Sequence, residues 1–218
     1  NSGNGDGSTD SSGNASGDSS SGGQDPAPVP PASDPTLTMR KVSYGDSRLV
    51  ATICSLTDFG AVANDDSFDD DALFDAIEYA GNQGGGTIWV PAGRYKFKEN
   101  FVLPNGVYIM GEWENPDSSP SNMTKGSIFE VYGGKRAPSG TEKSTIGFTG
   151  VPTGDTPFMI LGAGSGVIGM TVYYPEQNHA DPQAYPPTFM SGDTLDGSSG
   201  FSVVKYTTIV NPWIGIVM

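Results

Sequence analysis

The chain has 218 residues, and its 25 Asp and Glu against 11 Lys and Arg give a net charge of −14. That balance excludes non-specific nucleic-acid binding, which needs a basic footprint. A single cysteine, Cys54, excludes an intrachain disulfide and the multi-cysteine zinc patterns, and no apolar run of about 18 residues offers a membrane-spanning helix.

Residues 1–38 are almost entirely Ser, Gly, Asp, Asn and Pro, with Val29 and Leu37 as the only branched aliphatic residues and no aromatic. Such a segment cannot bury enough apolar surface to offset its ordering entropy, so it reads as a disordered tether, stiffer at Asp25–Pro31 where prolines crowd. Five acids and no base lie in it, leaving 20 acids against 11 bases, or −9, for the rest. The chain begins at Asn1 rather than Met, which is compatible with a signal peptide removed before it. A polar leader on a folded body suits an extracellular or surface-tethered protein.

Regular structure is expected to begin between Leu37 and Ile53. Phe68, Ala72, Leu73, Ala76, Ile77 and Ala80 then recur at spacings that share one helical face, predicting an amphipathic helix over 67–80. Asp66 or Ser67 is placed to cap it, Asp69 to Asp71 to complement its dipole, and Gly81 or Gly84 to end it. The acidic run Asn64–Asp71 lacks the alternating ligands and central glycine of an EF-hand, so helix capping is its expected role.

Beyond the helix the period shortens. Strands are predicted at Thr87–Val90, Tyr95–Phe97, Phe101–Leu103, Val107–Met110, Ser127–Tyr132, Thr145–Phe148, Phe158–Leu161, Val167–Tyr174 and Phe201–Val210. The segments beginning at Gly106 and Gly166 repeat one unit, a glycine corner followed by an aliphatic strand. Such units stack in a solenoid, although short strands with turns also suit an antiparallel sandwich. The long polar segment 175–200 is expected to project as a loop, and it carries His179, the only histidine. Asn14 and Asn122 each open an N-glycosylation pattern.

Asp58-Phe-Gly-Ala61, the Asp65–Leu73 acidic stretch and Gly84-Gly-Gly-Thr-Ile-Trp-Val-Pro-Ala-Gly-Arg-Tyr95 together resemble the N-terminal signature of the pectate-lyase-like superfamily, of the rhamnogalacturonase/epimerase type. Gly111–Pro116, Thr171–Gln177 and Ile209–Gly215 look like a subset related to β-1,3-glucanase-type glycoside hydrolases. The resemblance implies a mainly β chain: a right-handed parallel β-helix whose open end the amphipathic helix closes. Residues 39–218 would form the cap and first coils, cut short at the C-terminus. In such proteins the reacting carboxylates sit on later coils, which implies an active site downstream of Met218.

The candidate acids within the chain are Glu112, Glu114 and Glu176. If 112–114 is extended, Glu112 and Glu114 face one side about 7 Å apart, a spacing suited to inverting glycoside hydrolysis, with Trp113 packed on the other. Any Glu-x-Glu on a strand would share that spacing, and a solvated corner is the plainer account. Trp113, Tyr174, Gln177 and Trp213 are the candidate sugar-binding residues, because sugar rings suit aromatic faces rimmed by amide and carboxylate groups. The plainer account of the tyrosines puts Tyr173 in the core and Tyr174 over the loop base.

The leading expectation is an enzyme acting on polysaccharide, a glycoside hydrolase on an extracellular glucan or pectic polymer needing neither metal nor cofactor. The alternatives are a lyase or epimerase acting on uronates, for which Ca²⁺ could neutralise the acid, and a non-catalytic adhesin or tail-spike-like β-helix. The expected partner is polysaccharide, not nucleic acid.

Overall fold

The computed structural model describes residues 51–116, 123–135, 156–192 and 201–218. The expected tether, the 145–148 strand, Asn14 and Asn122 fall outside those residues.

Strand β1 (Thr52–Ser55) leads into a 3₁₀ turn at Leu56–Phe59 and then helix α1 (Asp70–Asn82). Twelve short strands follow as four successive triplets: β2 (Gly86–Val90), β3 (Gly93–Phe97) and β4 (Phe101–Leu103); β5 (Val107–Gly111), β6 (Ser127–Val131) and β7 (Met159–Leu161); β8 (Gly166–Ile168), β9 (Thr171–Tyr173) and β10 (Pro187–Ser191); β11 (Val203–Lys205), β12 (Thr208–Val210) and β13 (Ile214–Val217). Each triplet contributes one strand to each of three sheets, ordered β1-β2-β5-β8-β11, β3-β6-β9-β12 and β4-β7-β10-β13. Every strand pairing among the described residues is parallel. The chain therefore visits three faces in turn and stacks coil on coil, which rules out the antiparallel sandwich for this region. The two glycine-corner units do stack, with Tyr108, Ile109 and Met110 opposite Gly166, Val167 and Ile168.

Inward side chains of successive coils form one core. Phe97 meets Phe129 edge-on at 4.6 Å between ring centroids, and Phe101 and Phe158 close the same aromatic stack. Helix α1 covers the first coil, packing against β1, β2 and β4 with Leu73, Ala76 and Ala80 fully buried. Burying Leu73 alone contributes about 2 kcal/mol, and it protects apolar edges that would otherwise face water.

The helix starts later than its periodicity suggests. Phe68 pairs with Lys96 as a parallel bridge before α1 begins, so its ring leaves the helical face and stays 47% exposed. Asp69 is the N-cap, yet its carboxylate makes no cap bond. Its two oxygens instead accept the backbone N–H groups of Val62 (3.1 Å) and Lys96 (3.0 Å). Asp70 Oδ1 accepts those of Lys98 and Glu99, both at 3.0 Å. The expected capping by Asp66 or Ser67 is thus corrected: two of the acids stitch the helix start to β3 and the turn after it. At the other end Gly84 (φ +80°) donates to Gly81 and Gly85 donates to Ala80, a Schellman stop that needs the left-handed conformation glycine tolerates.

Three further expectations change. The predicted strand 167–174 breaks into β8 and β9 at Gly169 (φ +70°), and 201–210 breaks into β11 and β12 at Tyr206 (φ +49°), because each crosses a corner between faces. The expected loop 175–200 contains β10, a fully buried strand. Its Pro187 sits at the first strand position, where the missing N–H does no harm.

Candidate functional site

The outer surface of the β3-β6-β9-β12 sheet gathers the chemistry. Strand alternation points Tyr95, Phe97, Phe129 and Val131 inward, so Arg94, Lys96, Ile128 and Glu130 point out. The parallel register then lines them into rows. One row runs Phe68, Lys96, Glu130, Tyr173, Val210, and its neighbour runs Arg94, Ile128, Thr171, Thr208. Lys98 and Tyr132 continue the same outward alternation just past β3 and β6.

Glu130 is only 4% exposed, and its charge is compensated. The Arg94 guanidinium lies 3.5 Å from one carboxylate oxygen, and the Tyr132 hydroxyl donates to the other at 3.1 Å. Burial, helped by the neighbouring Glu130 charge, pushes the Tyr132 phenol up to about 12. Tyr173 is raised for the same two reasons, burial first. Both phenols are therefore protonated at neutral pH, and the Tyr132 proton is already given to Glu130. Lys96 donates to the exposed Asp66 at 2.7 Å, and that hydrogen bond, reinforced by the lysine charge, holds the Asp66 carboxyl below its ordinary range. Lys98 Nζ rests 5.4 Å from the centre of the Phe68 ring, which Tyr132 meets edge-on at 5.8 Å.

The residues just after β5 reach this sheet, where Trp113 meets Thr208. Ser127 fixes them, donating from Oγ to Val90 O (2.8 Å) while accepting the Glu112 N–H (2.8 Å). Gly126 (φ +72°) sits where any Cβ would run into the Glu112 carbonyl. Met123, Ile128 and Tyr173 form a small apolar cluster over the sheet, with Val210 packed against it.

The expected site residues are scattered. Residues 112–116 lie beyond the end of β5, so strand alternation does not set Glu112 and Glu114 on one side. Trp113 is 40% exposed rather than packed, and its indole N–H donates to Thr208 Oγ1 at 2.9 Å. Glu176 follows β9 and pairs with Lys135 at 3.1 Å. Tyr174 cannot meet a ligand as the structure stands: it is 1% exposed, bonded to Thr188 at 2.8 Å and ring-packed on Tyr185 at 4.9 Å. The tyrosines are exchanged relative to expectation, Tyr174 joining the main core and Tyr173 the outer cluster. Gln177 uses both ends of its amide on the Gln183 backbone, bracing the loop. Trp213 packs half-buried against the main core. Cys54 is buried, and burial followed by the nearby Asp58 charge pushes its thiol up to about 12.

The chain is similar to known proteins over part of its length. Residues 53–149 match the family described as Rhamnogalacturonase A/epimerase, pectate lyase-like. Mannuronan C5-epimerase AlgE3 of Azotobacter vinelandii is 28% identical over 116 residues, and Mannuronan C5-epimerase AlgE1 of the same organism is 31% identical over 99. These matches support the pectate-lyase-like superfamily. They cover 50% and 42% of this chain, which spans only 6% and 7% of the two relatives. The solved A-module of Azotobacter vinelandii Mannuronan C-5 epimerase AlgE4 aligns with a TM-score of 0.47 and 16% identity, over 76% of this chain and 40% of that one. The expected tie to β-1,3-glucanase-type hydrolases finds no support in these relatives. No helix among the described residues is long and apolar enough to cross a membrane. A lyase reading would imply Ca²⁺, but no three His, Cys, Asp or Glu side chains group as metal ligands among the described residues.

Proposed function

We propose that this chain is part of a secreted polysaccharide epimerase or lyase acting on uronate polymers, built on coils that turn right-handed as parallel crossovers nearly always do. The observation that carries this reading is the similarity over 116 residues to a mannuronan C5-epimerase. It replaces the glycoside hydrolase as the leading reading. The line of cations Arg94, Lys96 and Lys98 supports it, since an acidic protein needs local bases to hold a polyanion.

Epimerase and lyase chemistry share a first step. A base removes the proton on the carbon beside the uronate carboxylate, and the electron pair spreads onto that carboxylate. Returning a proton to the opposite face inverts the centre; expelling the neighbouring glycosidic oxygen forms a carbon–carbon double bond and cleaves the chain. Both routes need cations and hydrogen-bond donors around the carboxylate. Hydrolysis needs an acid–base carboxylate pair instead. On this sheet the carboxylate of Glu130 is engaged by Arg94 and Tyr132, so the face serves binding and the reacting groups come from elsewhere in the protein. Trp113, at its margin, is retained as a candidate sugar platform.

The test is to incubate the full-length gene product with polymannuronate, polygalacturonate and laminarin. Inverted uronate centres by NMR, or new ultraviolet absorbance from an unsaturated uronate, is expected on one of the acidic polymers. Reducing ends on laminarin without absorbance would overturn the proposal in favour of a hydrolase.

A further inference from the structure

Phe68, Tyr132 and Lys98 form a surface group that folding alone does not require. Phe68 leaves the helical face its spacing suggests, and its backbone is pinned beside β3 by the bridge to Lys96 and by the Asp69 N–H donating to Lys96 O. Its ring nevertheless stays 47% exposed. Tyr132 stands edge-on to it at 88°, so the two rings form a rigid angled wall rather than a flat stack. Arg94 and Lys96 each have a carboxylate beside their charged end, whereas the Lys98 ammonium forms no ion pair among the described residues, Asp70 holding only its backbone N–H. Its ammonium leans on the Phe68 ring instead, a weak contact at an exposed site from which a stronger anion would draw it. In a chain of net charge −14, an ammonium without an ion-pair partner among the described residues, beside two aromatic rings, is complementary to an anion that also carries an apolar face.

We propose that Phe68, Tyr132 and Lys98 are a binding subsite for one uronate unit of an acidic polysaccharide, the C–H face of the sugar lying on the Phe68 ring and its carboxylate meeting Lys98. This rests on the uronate reading above and adds to it a holding point for the polymer. The protonated Tyr132 hydroxyl, already given to Glu130, fixes the wall rather than the sugar. Neutral glucans satisfy the ring but leave Lys98 unused. Acidic peptides satisfy Lys98 but offer no sugar face.

The test is calorimetric titration of the full-length protein with oligomannuronate, laminari-oligosaccharide and polyglutamate, using wild type, Lys98→Gln, Lys98→Arg and Phe68→Ala. Lys98→Gln is expected to weaken oligomannuronate binding about tenfold, the loss of one charge-assisted hydrogen bond. Lys98→Arg should retain it, and Phe68→Ala should weaken it several-fold with an unchanged unfolding temperature. Phe68→Leu, which keeps the apolar volume but removes the ring, guards against a folding defect and is expected to weaken binding in the same direction. Oligomannuronate binding that survives both Lys98→Gln and Phe68→Leu overturns the subsite while leaving the uronate reading intact. Wild type that neither binds nor alters any uronate polymer overturns both. Equal losses on polyglutamate overturn the sugar component, and equal losses on laminari-oligosaccharide overturn the carboxylate contact.

Discussion

Asp69→Asn separates bracing from capping at the start of α1. Asp69 is 5% exposed, and each carboxylate oxygen takes one backbone N–H, from Val62 and from Lys96. Asparagine offers a single carbonyl oxygen, so its NH₂ would confront one of those donors and leave it unpaired. The loss is about 2–3 kcal/mol, and for a chain of this size it lowers Tm by roughly 4–10 °C. Asp70→Asn is the internal control, because Asp70 Oδ1 alone accepts both Lys98 and Glu99 while Oδ2 is buried without a partner. An amide there keeps both bonds, and the cost stays under about 1 kcal/mol. Thermal and urea unfolding of the three proteins at neutral pH reads the difference; equal losses would refute the bracing role. The pH dependence has a fixed sign. Burial, opposed by the two N–H bonds, holds the Asp69 carboxyl above its ordinary range. The folded state therefore binds that proton more tightly, and the stabilisation is full below the unfolded value of about 4 and lost as pH rises through the folded value. The stability gap between wild type and Asp69→Asn should widen toward acid pH, and narrowing would show that the two N–H bonds, which favour the ionised carboxylate, outweigh its burial.

Ser127→Ala removes the hydroxyl that joins Val90 O to the Glu112 N–H; it should cost about 2–4 kcal/mol in denaturant unfolding, and a loss under about 1 kcal/mol would show the segment after β5 is held by other contacts. Tyr174→Phe leaves Thr188 its longer 3.3 Å bond to Ile214 O, so a loss of about 1 kcal/mol is expected, with no change in binding of any sugar. Changed sugar affinity would reinstate Tyr174 at the surface. Cys54, buried and with its thiol pushed up to about 12, should resist iodoacetamide in the native protein and react only on unfolding, as mass spectrometry would show. Rapid native labelling would contradict its burial.

What the sequence disclosed and what it hid follow from locality. The face of α1 and the repeated glycine corners are periodic within a few residues, so they were legible. The helix start was not, because Phe68 fits the helical period while its backbone is claimed by Lys96, a pairing across the fold. Strand β10 was hidden by the prolines around it. Parity misled at Tyr173 and Tyr174, since β9 ends at Tyr173 and the corner turns the next side chain inward. The site went unread: none of the candidates drawn from the sequence was Arg94, Lys96 or Lys98, although these alternate through β3 and just past it. That Phe68, Glu130 and Tyr132 stand beside them depends on the coil register, which nothing local encodes. Glu112 and Glu114 drew attention through their spacing, a spacing that means little outside a strand.

The most direct measurement of the central claim is turnover of polymannuronate by the full-length protein in heavy water. Proton removal beside the carboxylate predicts deuterium at that carbon in inverted units, or an unsaturated uronate where the chain is cut. New reducing ends with neither deuterium nor unsaturation would show hydrolysis and contradict the account.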